Sequence, residues 1–264
     1  MKTILAAILL LLTAIACQQA EPNQGLPASS RQFYQLQIYT FERAEQITQT
    51  DQYLQNALIP ALERQEVGPV GVFKNRLSGE DTVAHTYVLI PLESLDQVQH
   101  IPLSLEQDSS YLSDGSDYFK AAYNAPPYLR FESILLHAFS EWPRLKEPDL
   151  TGPRMERIYE LRSYESPTET YAANKIEMFN AGGEVKLFDR LGCNAVFYGQ
   201  VFSGSRMPNL MYMTAYSDST SRKEHWDAFF GSPEWKELIA NPHYEHNVNH
   251  ADIWLLYPTA YSGY

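Results

Sequence analysis

The sequence predicts an α+β protein made of two tandem halves, each with the ferredoxin-like element order βαββαβ. Two observations carry this prediction. Residues 34–39 (YQLQIY) align with residues 159–164 (YELRSY), and each stretch is followed by the same succession of helix-like and strand-like segments. A supersecondary unit that recurs along a chain indicates two sheets of similar topology.

Each predicted half begins with one of these strands and continues with a long helix. The helix is predicted over residues 44–65 in the first half and 170–190 in the second, and a glycine precedes the next strand in both. A third strand, a second helical region and a last strand complete each half. The later strands are predicted at 70–73, 86–91 and 131–139, and again at 194–200, 210–216 and 253–257.

The N-terminal residues predict export. A short apolar run after Lys2 ends before Cys17, which is typical of a signal peptide over residues 1–16 and too short to span a bilayer. Residues 14–17 (AIAC) resemble a bacterial lipobox, so we expect Cys17 to carry a lipid and residues 17–30 to tether the protein to the cell envelope, on the periplasmic or outer-membrane face. A plain signal-peptidase cut is the alternative, because alanine stands where leucine is usual at the start of the lipobox.

Composition and net charge limit the domain organisation and the classes of partner that we expect. The 264 residues carry a net charge of -12, which argues against a nucleic-acid partner and against docking on anionic lipid through overall charge. We expect a diverged N-terminal half over 31–140, a linker with three prolines over 141–154, and a second half over 155–264. Cys193 is the only cysteine left once Cys17 is lipidated, so we predict a buried thiol rather than a disulfide.

Local signals in the second half predict a capped, aromatic helical region. Ser221 and Glu224 have the spacing of a capping box, and Ser232 precedes a proline as an N-cap would. Trp226 and Phe229 follow at helical spacing. For these aromatic side chains, packing in the core is the expected role.

The second half resembles the NIPSNAP family over roughly residues 156–262. The stretches that carry the resemblance are 160–164 (ELRSY), 204–214 (GSRMPNLMYMT), 222–236 (RKEHWDAFFGSPEWK) and 257–262 (YPTAYS), with Phe179, Glu184, Leu187, Phe188, Gly192, Phe197, Gly199 and Gln200. The first half matches only in its element order and opening strand. It lacks the Met-Pro-Asn and Trp-x-x-Phe patterns and therefore looks like a diverged copy.

This resemblance implies a dimeric α/β-barrel, in which two such sheets face each other and enclose a cleft. Because both sheets belong to one chain here, we expect the barrel to be intramolecular. Side chains alternate between the faces of a strand, and we expect the more apolar face to pack on the helices and the more polar face to line the cleft. The predicted ligand-binding residues are Gln37, Tyr39, Glu160, Arg162 and Tyr164. The alternative for Glu160 and Arg162 is a simple ion pair.

Other patterns for chemistry are weaker. His243, His246 and His250 lie close in sequence, but a proline and two asparagines interrupt the stretch, so surface positions are favoured over a metal site. Neither a nucleophile elbow nor a phosphate-binding glycine loop occurs in the sequence. We therefore expect no metal and no cofactor, and the sequence leaves open whether the protein is an enzyme.

Three functions follow from these observations. The first is a cell-envelope protein that binds a small organic ligand in the cleft. The second, by analogy with related barrels, is a cofactor-independent oxygenase or isomerase, in which Arg162 would hold a substrate anion and Glu160 or a histidine would act as base. The third is an interaction module for a protein partner or a second copy of the chain, using Tyr171, Tyr261 and Tyr264, and a filled core between the sheets would favour it.

Overall fold

The structure, a computed structural model, describes residues 31–79 and 82–264. The predicted signal peptide, the lipidation at Cys17 and the tether up to residue 30 lie outside these residues. The described chain forms eight strands that pair antiparallel and close into one barrel. The strands are β1 (Phe33–Phe41), β2 (Gly71–Asn75), β3 (Ala84–Leu92), β4 (Arg130–Ala138), β5 (Ile158–Glu165), β6 (Ala195–Ser203), β7 (Asn209–Tyr216) and β8 (His250–Pro258).

Helices cover the outside of the barrel in two groups. The first-half helices are α1 (Ala44–Tyr53), which continues through a π-helical turn (Leu54–Leu58) into α2 (Ile59–Arg64), and then α3 (Asp96–Leu105), α4 (Ser109–Asp114) and α5 (Ser116–Phe119). The second-half helices are α6 (Glu169–Phe179), α7 (Glu184–Arg190), α8 (Ser219–Gly231) and α9 (Pro233–Ala240). None of the helices in the described residues is long and apolar enough to cross a membrane.

Strand order confirms the predicted fold class. Within each half the strands run in the order fourth, first, third, second, as β4-β1-β3-β2 and as β8-β5-β7-β6. The halves join where β2 pairs with β8 and β4 pairs with β6. Each joint therefore pairs the second strand of one half with the fourth strand of the other. The barrel is intramolecular, as expected.

One predicted helix and one predicted cap are wrong. The helix expected over 170–190 is broken between α6 and α7, because Gly183 caps α7 in a left-handed conformation (φ 92°) and a side chain at Gly182 would lie 2.5 Å from the Met178 carbonyl oxygen. Helix α8 begins before the predicted capping box, since the Asp218 carboxylate accepts from the Ser221 amide at 2.8 Å.

The barrel interior is filled with apolar side chains. Alternate residues of the strands point inward, and the buried interior cluster includes Leu36, Leu89, Leu161 and Met213. At the β4–β6 joint, a Cβ on Gly199 would lie 3.0 Å from the Leu136 Cβ, so glycine permits the close approach of the two strands. Most of the space between the two sheets is therefore a core, and a smaller cavity of about 190 Å³ remains between residues of both halves that include Tyr87, Met211 and Trp254.

Two segments close the interior at one end, where β1, β2, β5 and β6 begin. Leu145 and Leu150, from the linker, pack against the interior cluster. The C-terminal Tyr264 is part of that cluster, and its hydroxyl donates to the Pro69 carbonyl at 2.9 Å. Arg154 donates to the Ser262 carbonyl at 2.8 Å. The linker and the C-terminus thus fix the two halves to each other.

The predicted assignment of strand faces is wrong. The apolar faces of β1 and β5 point into the barrel, where Tyr34 and Tyr159 lie, and the more polar faces point outward toward the helices. The physical reason is that a closed eight-stranded barrel has an interior just wide enough for side chains to fill. That interior takes the more hydrophobic face, and the helices cover a mixed one.

Candidate functional site

A cavity of about 460 Å³ lies between the first-half sheet and its helices. We call it the first-half pocket. Its volume falls within the range typical of sites for small organic ligands. Its floor is the outer face of the sheet, and its roof is formed by the short helices α3 to α5. The lining residues are Gln35, Gln37, Tyr39, Tyr53, Leu58, Leu62, Ile90, Gln97, Val98, Ile101, Pro102, Leu105, Glu106, Tyr111, Leu112, Tyr118, Phe119, Tyr128 and Phe131.

Tyrosine rings form much of the pocket wall. The rings of Tyr53 and Tyr118 stack with centroids 3.9 Å apart, and the ring of Tyr39 lies 4.9 Å from that of Phe131. The hydroxyls of Tyr53 and Tyr111 are hydrogen-bonded at 2.9 Å. These rings present flat apolar surface with polar edges, which suits an aromatic ligand.

Apart from the exposed Glu106, the polar groups of the pocket are neutral. Burial raises the pKa of Tyr39, Tyr53 and Tyr118 well above that of a free tyrosine, so these phenols stay protonated at neutral pH. Two amides lie on the floor, where Gln35 donates to the Ser133 hydroxyl at 2.8 Å and Gln37 accepts from Tyr39 at 3.4 Å. Among the described lining residues there is no lysine, arginine or histidine. The pocket therefore offers hydrogen bonds but no counter-charge for an anion.

The size of the side chains between the sheet and its helices explains why the first half contains a cavity there. The roof helix α3 presents Val98, Ile101 and Leu105 to the cavity. In the second half the corresponding layer contains large rings, including Trp226 and Phe229 of α8. Phenyl and indole rings each bury about 150–250 Å², well above an aliphatic side chain. The first half therefore leaves a space that the second half fills.

The second half has a charged network where the first half has its pocket. The Glu160 side chain is 0 % exposed, and its carboxylate accepts from Arg162 at 2.7 Å, Arg222 at 2.6 Å and the Trp226 indole at 2.9 Å. Arg162 donates to the Tyr164 hydroxyl at 2.9 Å. Every charge in this network has a partner, as a stable buried ion pair requires.

Aromatic packing seals the network from the helix side. The Arg162 guanidinium lies 3.9 Å from the centre of the Trp226 ring. The Tyr164 hydroxyl bonds to that of Tyr212 at 2.9 Å. A second buried pair lies in the same layer, where Lys175 donates to Glu184 at 3.0 Å, and burial raises the pKa of the Glu184 carboxyl.

The structure separates the five predicted ligand-binding residues into two sites. Gln37 and Tyr39 line the first-half pocket. Glu160, Arg162 and Tyr164 lie in the second-half network. The predicted single cleft between the sheets is wrong, because all five side chains are on outer faces. The predicted ion pair between Glu160 and Arg162 is confirmed, with 2.5 Å between their closest atoms.

The residues of the pocket roof were not predicted from the sequence as ligand-binding residues. Ile101, Leu105, Tyr111 and Tyr118 come from a region predicted only as helical. The available signal was the run of tyrosine and phenylalanine through residues 111–131, which has no continuous helical stripe to absorb it.

The second half of the chain matches a protein-family model. The NIPSNAP family model matches residues 159–263. These residues form a NIPSNAP domain. The Glu160 network and the aromatic layer of α8 lie within the NIPSNAP domain, whereas the first-half pocket lies outside it.

Three solved structures share the architecture of the whole chain. A presumed monooxygenase from Lactobacillus acidophilus aligns with a TM-score of 0.56 at 11% identity, over 87% of this chain and 94% of that one. A presumed monooxygenase from Fusobacterium nucleatum aligns at 0.54 and 8% identity, over 87% and 93%. A protein described as anthrone oxidase-like aligns at 0.52 and 8% identity, over 87% and 92%. At these identities the likeness shows the fold alone.

No protein of curated function matches the sequence significantly. The roles of the first-half pocket and of the Glu160 network within the NIPSNAP domain therefore rest on their own chemistry.

Two of the three candidate histidines lie beside carboxylates. His243 lies 2.9 Å from the Glu177 carboxylate. His250 lies near Glu165 and Asp252, but Arg206 forms ion pairs with both carboxylates. One guanidinium thus balances one of the two negative charges.

Cys193 is buried, as predicted, and burial raises the pKa of its thiol to about 12. Two of the three aromatics suggested for partner binding are less accessible than expected. Tyr264 is buried in the barrel interior. Tyr261 is partly buried and donates to the Asp51 carboxylate at 2.6 Å.

Proposed function

We propose that the protein binds a small, uncharged aromatic ligand in the first-half pocket. The observation that carries this proposal is an open cavity of about 460 Å³, lined by tyrosine and aliphatic side chains, with two amides on its floor. The lining lacks a basic side chain among the described residues, so an anion would lose its hydration without gaining a counter-charge. Flat rings with one or two hydrogen-bonding groups fit both the walls and the floor.

Titration with the neutral dye N-phenyl-1-naphthylamine tests this proposal. The full chain should enhance the fluorescence of the dye saturably. Ile101→Trp places a large ring in the cavity and should weaken binding at least tenfold. Ile239→Trp makes the same change on an exposed position of α9 and should leave binding unchanged. Equal affinity in the two variants would refute binding at this pocket.

The barrel interior leaves only a cavity of about 190 Å³, below the range of about 300–1,000 Å³ typical of ligand pockets. It therefore gives little support to a ligand between the sheets and meets in part the condition set for an interaction module. The pocket on the outer face, however, gives a ligand a different place. The interaction-module alternative also has one candidate contact residue fewer, because Tyr264 is buried. Ligand binding therefore remains the function that we favour.

A cofactor-independent oxidation of the bound aromatic ligand is the second candidate. It is favoured by the fold shared with proteins described as monooxygenases or an oxidase, which is an analogy from fold. Arg162 and Glu160 are poor candidates for the roles suggested from sequence, because they are paired with each other and covered by Trp226. The pocket tyrosines would position the ligand instead.

Dioxygen consumption tests the second candidate. Anthrone and a panel of hydroquinones would be offered to the full chain in an oxygen electrode. Catalysed uptake should be lost in Ile101→Trp and retained in Ile239→Trp. Uptake that does not depend on the protein, or that survives Ile101→Trp, would argue against oxidation in this pocket.

A further inference from the structure

The mouth of the first-half pocket carries an exposed apolar and aromatic surface. Residues 118–131 (YFKAAYNAPPYLRF) contribute Phe119 at 42% exposure, Tyr123 at 97%, Leu129 at 60% and Phe131 at 41%. Exposed groups of this kind, concentrated in one segment, mark a surface that contacts something other than water. We call residues 118–131 the mouth segment.

The mouth segment is continuous with the pocket. Tyr118, Phe119, Tyr128 and Phe131 line the cavity, and Phe119 and Phe131 are also exposed on the outside. These rings form an apolar path from the cavity to the surface, beside the exposed Glu106 that also lines the pocket.

Charge in the mouth segment differs from that of the rest of the chain. The chain has 32 acidic and 20 basic residues, yet residues 118–131 contain Lys120, Arg130 and no Asp or Glu. Both basic residues are exposed. Tyrosine, phenylalanine and a few basic residues without acidic ones form the composition that favours a membrane–water interface. Asp117 and Glu132 flank the segment and Glu106 lines the pocket, so the charge around the mouth is close to balanced. The exposed apolar side chains therefore provide most of the contact, and charges beyond about 8–10 Å are screened at physiological salt.

Hydrogen bonds hold the mouth segment in a fixed position. The Pro126 carbonyl accepts from the buried Gln46 side chain at 3.1 Å, and the Pro127 carbonyl accepts from the buried Thr50 hydroxyl at 2.8 Å. The Leu129 amide donates to the Thr40 carbonyl at 2.8 Å. The exposed rings are therefore presented on a supported loop.

We propose that the mouth segment docks on a lipid bilayer, so that the pocket exchanges its ligand directly with the membrane. This inference rests on the proposed ligand-binding function for the identity of the pocket. The partner is a bilayer rather than a protein because the predicted lipid anchor at Cys17 would hold the domain beside one. The 13 tether residues from 18 to 30 span at most about 45 Å when extended. The mouth lies along β1 near Tyr39, which pairs with Phe131, six residues or about 20 Å beyond the start of that strand.

Depth-dependent quenching tests the proposal on the full chain. Phe119→Cys and Phe131→Cys would each be labelled with bimane, and Phe230→Cys, at a residue of α8 that is 51% exposed, is the matched control. Unsubstituted protein gives the background. Vesicles of phosphatidylcholine and phosphatidylglycerol would contain nitroxide-labelled lipid. We expect at least a twofold loss of emission at positions 119 and 131 and no loss at 230. Equal quenching at all three positions, or none at any, would overturn the proposal.

Two further variants separate this proposal from ligand binding. Ile101→Trp should abolish dye binding in vesicle-free solution but leave quenching at position 119 unchanged. Lys120→Glu should weaken the quenching on anionic vesicles, whereas Lys236→Glu, an exposed lysine on α9, should not. Normal dye binding without quenching would leave the pocket intact and refute membrane docking alone.

Discussion

The first strands of the two halves carry equivalent residues with different chemistry. Alignment of residues 34–39 with 159–164 places Gln35, Gln37 and Tyr39 opposite Glu160, Arg162 and Tyr164. In the NIPSNAP domain these positions hold ion pairs under a tryptophan, whereas in the first half they hold neutral amides under a cavity.

This difference shows how one backbone supports two uses of the same layer. A charged, fully paired layer has to exclude water and other molecules, because each buried ion depends on its partners. Neutral amides tolerate both water and a ligand, since an amide can exchange one hydrogen-bond partner for another at little cost. The half that lies outside the NIPSNAP match is thus the half with room for a ligand.

The largest expected effect is on stability, where a change at Glu160 should cost far more than a change at the equivalent Gln35. Glu160→Gln removes the negative charge between Arg162 and Arg222, and we expect a loss of about 3–5 kcal/mol in the free energy of unfolding, as for a broken buried ion pair. Gln35→Leu, at the equivalent position, should cost less than about 1.5 kcal/mol. Urea denaturation of both variants measures the difference. Similar losses would mean that the two layers are equally structural.

Thiol labelling compares access to the two layers. Native Cys193 should react with iodoacetamide at pH 8 at least about 100-fold more slowly than a cysteine introduced by Leu105→Cys, because burial suppresses the reactive thiolate. Leu105→Cys, combined with Cys17→Ser and Cys193→Ala, isolates the pocket site. Slow labelling at position 105 in a folded variant would indicate that the pocket is closed to solvent.

A pH-dependent stability is expected from the buried pair in the NIPSNAP domain. Burial raises the pKa of the Glu184 carboxyl above its value in the unfolded chain. The native state then retains a proton that the unfolded state releases, so the contribution is fully present below about pH 4.3, the unfolded value, and is lost as pH rises through the folded pKa.

Lys175→Met combined with Glu184→Leu removes this titration. At pH 7 the double variant should be as stable as the unsubstituted protein or more stable by about 1 kcal/mol. Its advantage should grow between pH 4 and pH 7 in urea denaturation. A constant difference across this range would show that Glu184 keeps an ordinary pKa.

The sequence was sufficient to predict the strands and the repeat, because both depend on local alternation and on element order, whereas the barrel was expected from the resemblance to the NIPSNAP family. Residues 34–39 and 159–164 show this, since they form equivalent strands of the two halves. It did not predict which strand face points inward. The interior face of a closed barrel depends on how all eight strands fill it, and no single strand such as β5 contains that information.

The candidate site was predictable only in part. Gln37 and Tyr39 were identified because they lie on one strand face. Ile101 and Tyr118 were not, because they reach the pocket from short helices whose packing depends on the size of residues distant in sequence. The contrast with Trp226, which fills the corresponding layer of the NIPSNAP domain, becomes visible only in three dimensions.

A crystal structure with a bound neutral aromatic ligand would test the central claim most directly. The ligand would be whichever of anthrone and the hydroquinones displaces N-phenyl-1-naphthylamine at the lowest concentration. We predict electron density for it between the floor amides of Gln35 and Gln37 and the side chain of Ile101, with the Glu160 network unchanged. Density inside the barrel or beneath Trp226, with the first-half pocket empty, would contradict the account.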